Sequence, residues 1–206
     1  WELRGHAWSM LDNPANADKA YSTAIAKNPD YFSHYLARGV LRFKQGQKTA
    51  AGKDLDKSQK LLPTPVASLY LGNISNASGD QKTAITYYRE AAQTQGDIGQ
   101  QARDKLAFIE MSQAPNRYIL NRLTLGSDGY LLLSVYNKSN IPATDVVVQV
   151  TEMASTYVTG PSLQIAIGAL SANTQKTVTT RIGPIEDEAT LDRYRALVIA
   201  AKPIEP

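Results

Sequence analysis

Cysteine is absent from all 206 residues, which excludes disulfides, thiolate metal sites and a cysteine nucleophile. The absence fits a reducing cytoplasm and equally an envelope protein that does without bridges. Histidine is nearly absent, with only His6 and His34 present; a lone histidine needs a positioned partner to hold a metal or move a proton, so both read as packing or solvent residues. No apolar run approaches the ~18–20 residues of a membrane-spanning helix, and no charged start is followed by the apolar core of a signal peptide. Catalytic text is missing as well. His-Glu-x-x-His, Gly-x-Ser-x-Gly, Gly-x-Gly-x-x-Gly and Gly-x-x-x-x-Gly-Lys do not occur, so no catalytic residue, metal or cofactor is expected.

Charge is nearly balanced, with 22 Lys+Arg against 19 Asp+Glu. All of the excess sits in residues 1–115, where 14 basic residues face 11 acidic ones, and the remainder holds 8 of each. A nucleic-acid partner calls for a dense basic stripe with interleaved aromatics, so it is not expected here. Lys53, Lys57 and Lys60 share one helix face, but Asp54 and Asp56 dilute it, which favours a solvated face over an anion site.

What is present divides the chain in two. Residues 1–115 are rich in Ala, Gln, Lys and Asp, whereas residues 116–206 shift to short runs of Val, Ile, Thr and Leu, a change from helix formers to strand formers. Within the first part a shift of 34 aligns Trp1 with Tyr35, Gly5 with Gly39, Ala17 with Ala51, Tyr21 with Leu55, Ala24 with Ser58 and Pro29 with Pro63. A third copy follows one residue out of step, with Leu71, Gly72, Gly79, Ala84, Tyr88 and Ala91. Two antiparallel helices approach closely only where bulk is missing, so Gly39 with Ala51, and their counterparts, mark helix crossings. The residue at 21, 55 and 88 fills the gap to the next copy, and Pro29 and Pro63 stop the second helix. The pattern predicts helices near 1–11, 16–27, 31–45, 48–61, 65–77 and 81–94.

This pattern resembles the tetratricopeptide repeat, a 34-residue helix pair with Gly, Ala, aromatic and Pro at these positions. Arg4 and Arg38 depart from it where Leu is usual, and Arg42 where Tyr is usual. Residues 99–113 read as the helix that caps such an array with a polar outer face. The resemblance implies a concave groove, lined by first helices, that binds a protein or peptide segment. Its positions carry over to Glu2, His6 and Ser9 in the first copy, Ser33, Leu36, Val40 and Phe43 in the second, and Leu69, Asn73 and Asn76 in the third.

After Pro115 the text alternates in strands over 118–125, 129–137, 144–152, 162–170, 174–182 and 193–201. Turn signals separate them at 126–129, 137–142, 160–161, 171–173 and 183–184, and the whole reads as an antiparallel β-sandwich. It is similar to immunoglobulin-like or fibronectin-like accessory modules of bacterial cell-envelope proteins, with Asn137 capping a turn and Leu170 plugging the core. The acidic residues 186–188 read as a solvated loop or a short helix start rather than a Ca²⁺ loop.

The sequence thus predicts a multidomain chain, an all-α tetratricopeptide array over 1–115 followed by an all-β sandwich over 116–206. The function expected is non-catalytic binding of a partner segment in the groove, in a bacterial periplasm or envelope, with the cytoplasm as the second location. The alternative is a regulatory or substrate-recruiting piece of an envelope zinc metallopeptidase with its catalytic domain before Trp1. The chain opens at Trp1 within helical text and without Met, which reads as a fragment. Oligomeric state has no signature.

Overall fold

Pairing of neighbouring helices sets the first half of the molecule. A computed structural model describes residues 1–155 and 158–205, without the side chains at 154, 155, 158, 159 and 188; of the acidic run, Glu188 therefore lies outside the described side chains. Helices α1 (Glu2–Met10) and α2 (Pro14–Lys27) form one hairpin, α3 (Phe32–Lys44) and α4 (Lys48–Leu61) a second, and α5 (Pro65–Ala77) and α6 (Gln81–Ala91) a third. Helix α7 (Asp97–Glu110) follows. The chain divides into two compact units, Trp1–Arg103 and Asp104–Pro206.

Local chemistry starts and stops these helices. The side chains of Asn13, Thr64 and Asp80 accept from Asn16 N, Ala67 N and Thr83 N at 3.1–3.2 Å, satisfying first-turn amides. Pro14 and Pro65 open α2 and α5, where a missing N–H costs nothing. The hairpin turns need left-handed backbone, supplied by Gly46 at φ 76° and Gly79 at φ 84°. Asp12 holds the same repeat position in the first hairpin at φ 51°, a conformation that Asp tolerates because its short side chain bonds locally.

Each hairpin closes on a contact sixteen residues apart. A Cβ on Gly5 would lie 2.4 Å from the Tyr21 ring, one on Gly39 2.8 Å from Leu55 Cγ, and one on Gly72 2.6 Å from the Tyr88 ring. The bulky partner therefore occupies the space a side chain at the glycine would take. It also serves the next hairpin, since Tyr21 packs with Leu41 and Ala37 of α3. The residue after each glycine matches its partner: His6 and Asn73 hydrogen-bond the Tyr21 and Tyr88 hydroxyls at 3.1 and 2.9 Å, while Val40 packs against the cluster that holds Leu55. Burial pushes the Tyr88 hydroxyl up to about 12, so it is a neutral donor throughout the physiological range.

The arginines that break the repeat pattern explain themselves here. Arg38 grips Asp54 through Nε and Nη2 at 2.8 and 2.7 Å and donates from Nη1 to Ser22 Oγ at 2.9 Å. Arg42 grips Asp18 in the same two-pronged way and donates to Asp54 Oδ2 at 2.9 Å. Asp54 is 4 % exposed, and a buried carboxylate is tolerated only when paired and hydrogen-bonded. The network ties α2, α3 and α4 together. Arg4, the counterpart of Arg38, stays exposed and stacks on the Trp1 ring at 5.2 Å.

In the second unit the described strands are β1 (Ile119–Leu125), β2 (Leu131–Asn137), β3 (Ala143–Ser155), β4 (Val158–Leu170), β5 (Gln175–Thr179) and β6 (Tyr194–Pro203). They form two three-stranded antiparallel sheets, ordered β1-β2-β5 and β4-β3-β6. One apolar cluster draws Leu133 and Val135 from the first sheet and Val146, Val148, Val150, Ile167, Leu170 and Val198 from the second. Ala107 and Met111, from the stretch read as a capping helix, join it. Asn137 is fully buried: its amide donates to Ile141 O and Leu170 O, and its Oδ1 accepts from the Ser139 amide and hydroxyl.

One turn signal is overridden. Gly160 and Pro161, expected to break the chain, lie inside β4. Thr151 pairs with Ser162 and Met153 with Thr159, so β4 carries one extra residue there, a bulge in which a proline without N–H is accommodated. The acidic residues cap a short 3-10 helix, Glu188–Arg193, with Asp187 Oδ1 accepting from Thr190 N at 2.9 Å.

Two substitutions test this account by thermal or urea unfolding. Gly72→Ala drives a methyl into the Tyr88 ring and is expected to destabilise the helical unit by about 1–3 kcal/mol; an unchanged midpoint would remove the close approach from the argument. Asp54→Ala leaves two arginines facing each other with 15 % and 20 % side-chain exposure, and we expect a loss of about 3 kcal/mol, the lower end of the range for a broken buried pair. A loss below about 0.5 kcal/mol, the level of a surface pair, would show that the network is ornamental.

Candidate functional site

A cavity of about 280 Å³ opens among α1, α2 and α3. Its wall is built by helix periodicity. Ser33, Ala37, Val40 and Lys44 stand at i, i+4, i+7 and i+11 on α3, with Leu36 and Leu41 beside them, while His6 and Ser9 face them from α1 and Tyr21 comes from α2. Leu36, Ala37, Val40 and Leu41 make an apolar floor; His6, Ser9, Ser33 and Lys44 put donors and acceptors around it.

Of the ten residues expected to line a groove, His6, Ser9, Ser33, Leu36 and Val40 therefore border one space. Glu2 lies beside it: its Oε1 accepts from Ser33 Oγ at 2.5 Å, and its Oε2 is 2.8 Å from His34 Nδ1. Phe43 turns toward α5, meeting the Tyr70 ring edge-on at 5.1 Å. Leu69 is 2 % exposed, so it offers a surface ligand nothing; its place is in the core because Ala67, Ser68 and Leu69 all face inward there. Asn73 spends its Oδ1 on the Tyr88 hydroxyl, and Asn76, one turn on, is exposed. The two asparagines thus differ, Asn73 being engaged with Tyr88 and Asn76 facing solvent.

Tyr21, Ala37, Leu41 and Lys44 were not anticipated as lining residues. Lys44 continues the α3 series of Ser33, Ala37 and Val40. Tyr21 was hidden by its core position, since it is 2 % exposed and its hydroxyl is bonded to His6.

Glu2 is held by contacts with Ser33, His6 and His34. Burial works to raise its pKa, but the Ser33 hydrogen bond, the His34 charge and the contacts with His6 and His34 outweigh it and hold the carboxyl below the usual range. No group of three or more His, Cys, Asp or Glu side chains among the described residues could hold a metal ion, and none of the described helices is long and apolar enough to cross a membrane. In the second unit a smaller recess of about 240 Å³ is lined by residues that include Arg122, Asp192, Tyr194 and Arg195.

No family model matches the chain, and no curated protein does. Among solved structures, a crystal structure of MamA is similar at 18 % identity and TM-score 0.46, over 52 % of this chain and 62 % of that one. A crystal structure of MamA protein is similar at 25 % identity and TM-score 0.42, over 45 % and 51 %. The Arabidopsis OM64 TPR domain is similar at 19 % identity and TM-score 0.47, over 51 % of this chain and 89 % of that domain. The chain spans less than two thirds of the length of the two MamA structures.

The lowered pKa of Glu2 fixes a pH signature. Its contribution to stability is present above the ordinary carboxylate value of 4.5 and is lost as pH falls through the lower folded-state value. Glu2→Gln is expected to lower the melting temperature at about pH 7 and to converge with the parent protein as pH falls through the lowered folded-state value. A constant difference across that span would show that Glu2 is not held by these contacts.

Proposed function

We propose that the chain is a non-catalytic interaction module: a tetratricopeptide-type array that binds a segment of a partner protein on the α1 and α3 side, followed by a small β-sandwich. The observation that carries the reading is the α1–α3 cavity, an apolar floor with convergent polar groups from consecutive first helices. Such a surface suits an extended or helical segment that buries one apolar side chain and hydrogen-bonds its backbone at the rim. The sandwich reading rests on the single core cluster that both three-stranded sheets share. Function here is inferred from the site, since repeat arrays serve many unrelated ligands.

Ser9 and Lys44 are exposed at the rim, so they can be altered without disturbing the core. A photo-crosslinking residue at position 9 in a native extract is expected to capture a partner, with crosslinks mapping to one short segment of it. The Lys44→Glu change should reduce capture several-fold with melting unchanged. Equal capture by both forms, or capture only from a control position such as Lys138 in the second unit, would overturn the assignment.

A further inference from the structure

In the second unit β1 is an edge strand of one sheet and β6 of the other, and the two border the recess of about 240 Å³. Strand alternation sorts the side chains around it. Asn121 and Leu123 pair with Val135 and Leu133, and Ala196 pairs with Val150. Those partners lie in the core, so Asn121, Leu123 and Ala196 face the inner side of the unit, as does Tyr194 two residues before Ala196. Arg122 and Arg195 stand one residue out of phase and reach the recess from its rim, where both are exposed.

The polar groups here are largely unspent. Among the described residues the Arg122 guanidinium, the Asn121 amide and the Tyr194 hydroxyl have no hydrogen-bond or ionic partner. Arg195 commits only Nη1, which donates to Asp192 O and Tyr194 O at 2.8 and 3.0 Å; these two bonds anchor the guanidinium and leave Nε and Nη2 over. Asn121 and Tyr194 are half-buried, and half-buried donors without a partner are uncommon in a folded chain. Four side chains with donors to spare thus line one space.

Charge and size narrow what fits. Two guanidinium groups face one carboxylate, Asp192, so the lining holds a surplus of one positive charge. Nearby, Arg193 and Glu152 balance each other at 2.7 Å. A surplus of one complements a monoanion and leaves a phosphate dianion half unmatched. The volume falls below the ~300 Å³ at which pockets for drug-sized molecules begin, and Leu123, Leu191 and Ala196 supply apolar wall.

We propose that this recess is a binding site for a single carboxylate on a short apolar stem, presented by a glutamate of a protein segment or by a free monocarboxylic acid. Arg122 and Arg195 grip the carboxylate with their planar forks, Asn121 and Tyr194 donate to its oxygens, and the apolar wall receives the stem. Asp192 sets the charge limit by repelling a second negative charge. The site is independent of the α1–α3 cavity, since every residue that lines it belongs to the second unit.

The test uses the whole chain, ¹⁵N-labelled, at about pH 7, where carboxylates are ionised, and at constant ionic strength. It is titrated with a capped Ala-Ala-Glu-Ala-Ala peptide and, separately, with butyrate. Saturable shifts are expected at the backbone amides of Arg122, Tyr194 and Arg195 and at the Asn121 side-chain amide. The same peptide with Gln in place of Glu should bind about tenfold or more weakly. Arg122→Gln and Arg195→Gln should lower affinity for the Glu peptide by a similar factor and Asp192→Asn should raise it several-fold, with melting unchanged because all three side chains are exposed. That gain is a readout a merely structural role of Asp192 would not produce. Binding of the Glu peptide tighter than butyrate gives the site to a protein segment, binding no tighter gives it to a free acid, and either upholds it. No saturable shift from either ligand, equal affinity for the Gln peptide, tighter binding of inorganic phosphate, or weaker binding by Asp192→Asn would overturn the proposal.

Discussion

The helical unit depends on three places where a residue without a Cβ faces a large side chain sixteen positions later. Gly5, Gly39 and Gly72 let two helices close until the rings of Tyr21 and Tyr88, or the Leu55 side chain, fill the space between them. With that distance fixed, the rest follows: the turn between the helices must pass through left-handed backbone at Gly46 and Gly79, and the same bulky residue can meet the next hairpin, as Tyr21 meets Leu41. The neighbour of each glycine is constrained too. It is polar where the partner carries a hydroxyl and apolar where it does not, because a buried hydroxyl left unpaired costs more than the bond returns.

The arginines of α3 show how a repeat can drop apolar residues from apolar positions and still pack. Arg38 and Arg42 gather Asp18, Ser22 and Asp54 around two planar guanidinium groups. Planar forks meet carboxylates in one geometry, so such contacts fix the rotation of three helices more tightly than interchangeable methyl groups would.

Much of this was legible in the residues. The offset of 34 and the prolines placed six helices to within a few positions, and alternation placed six strands, because both periodicities are properties of the backbone. What escaped depends on distant partners. Nothing near Arg38 or Arg42 announces that Asp54, sixteen and twelve positions on, is their counter-ion. Gly160 and Pro161 carry a turn signal, yet the ladder with β3 runs through them by means of a bulge. Leu69 occupies a groove position by alignment and is buried by its surroundings. At the site, five of ten expected residues share one cavity, while Phe43 meets Tyr70 of α5.

The two junctions between hairpins are made of different materials. The α2–α3 junction adds to the packing of Tyr21 on Leu41 and Ala37 a set of arginine contacts, Arg38 to Ser22 and Arg42 to Asp18, while the α4–α5 junction rests on Tyr70 and Ile74 packed against Ala51 and Leu55, with Gln59 bonded to Ser68 at its edge. Partly buried ion pairs are screened by salt much less than surface pairs, and apolar burial, present at both junctions, weakens on cooling. The junctions thus differ in direction rather than in burial: methyl groups tolerate small rotations of one hairpin on the next, whereas the arginine fork at α2–α3, Arg42 on Asp18, holds a single orientation, so the second junction has the freedom to swivel that the first lacks.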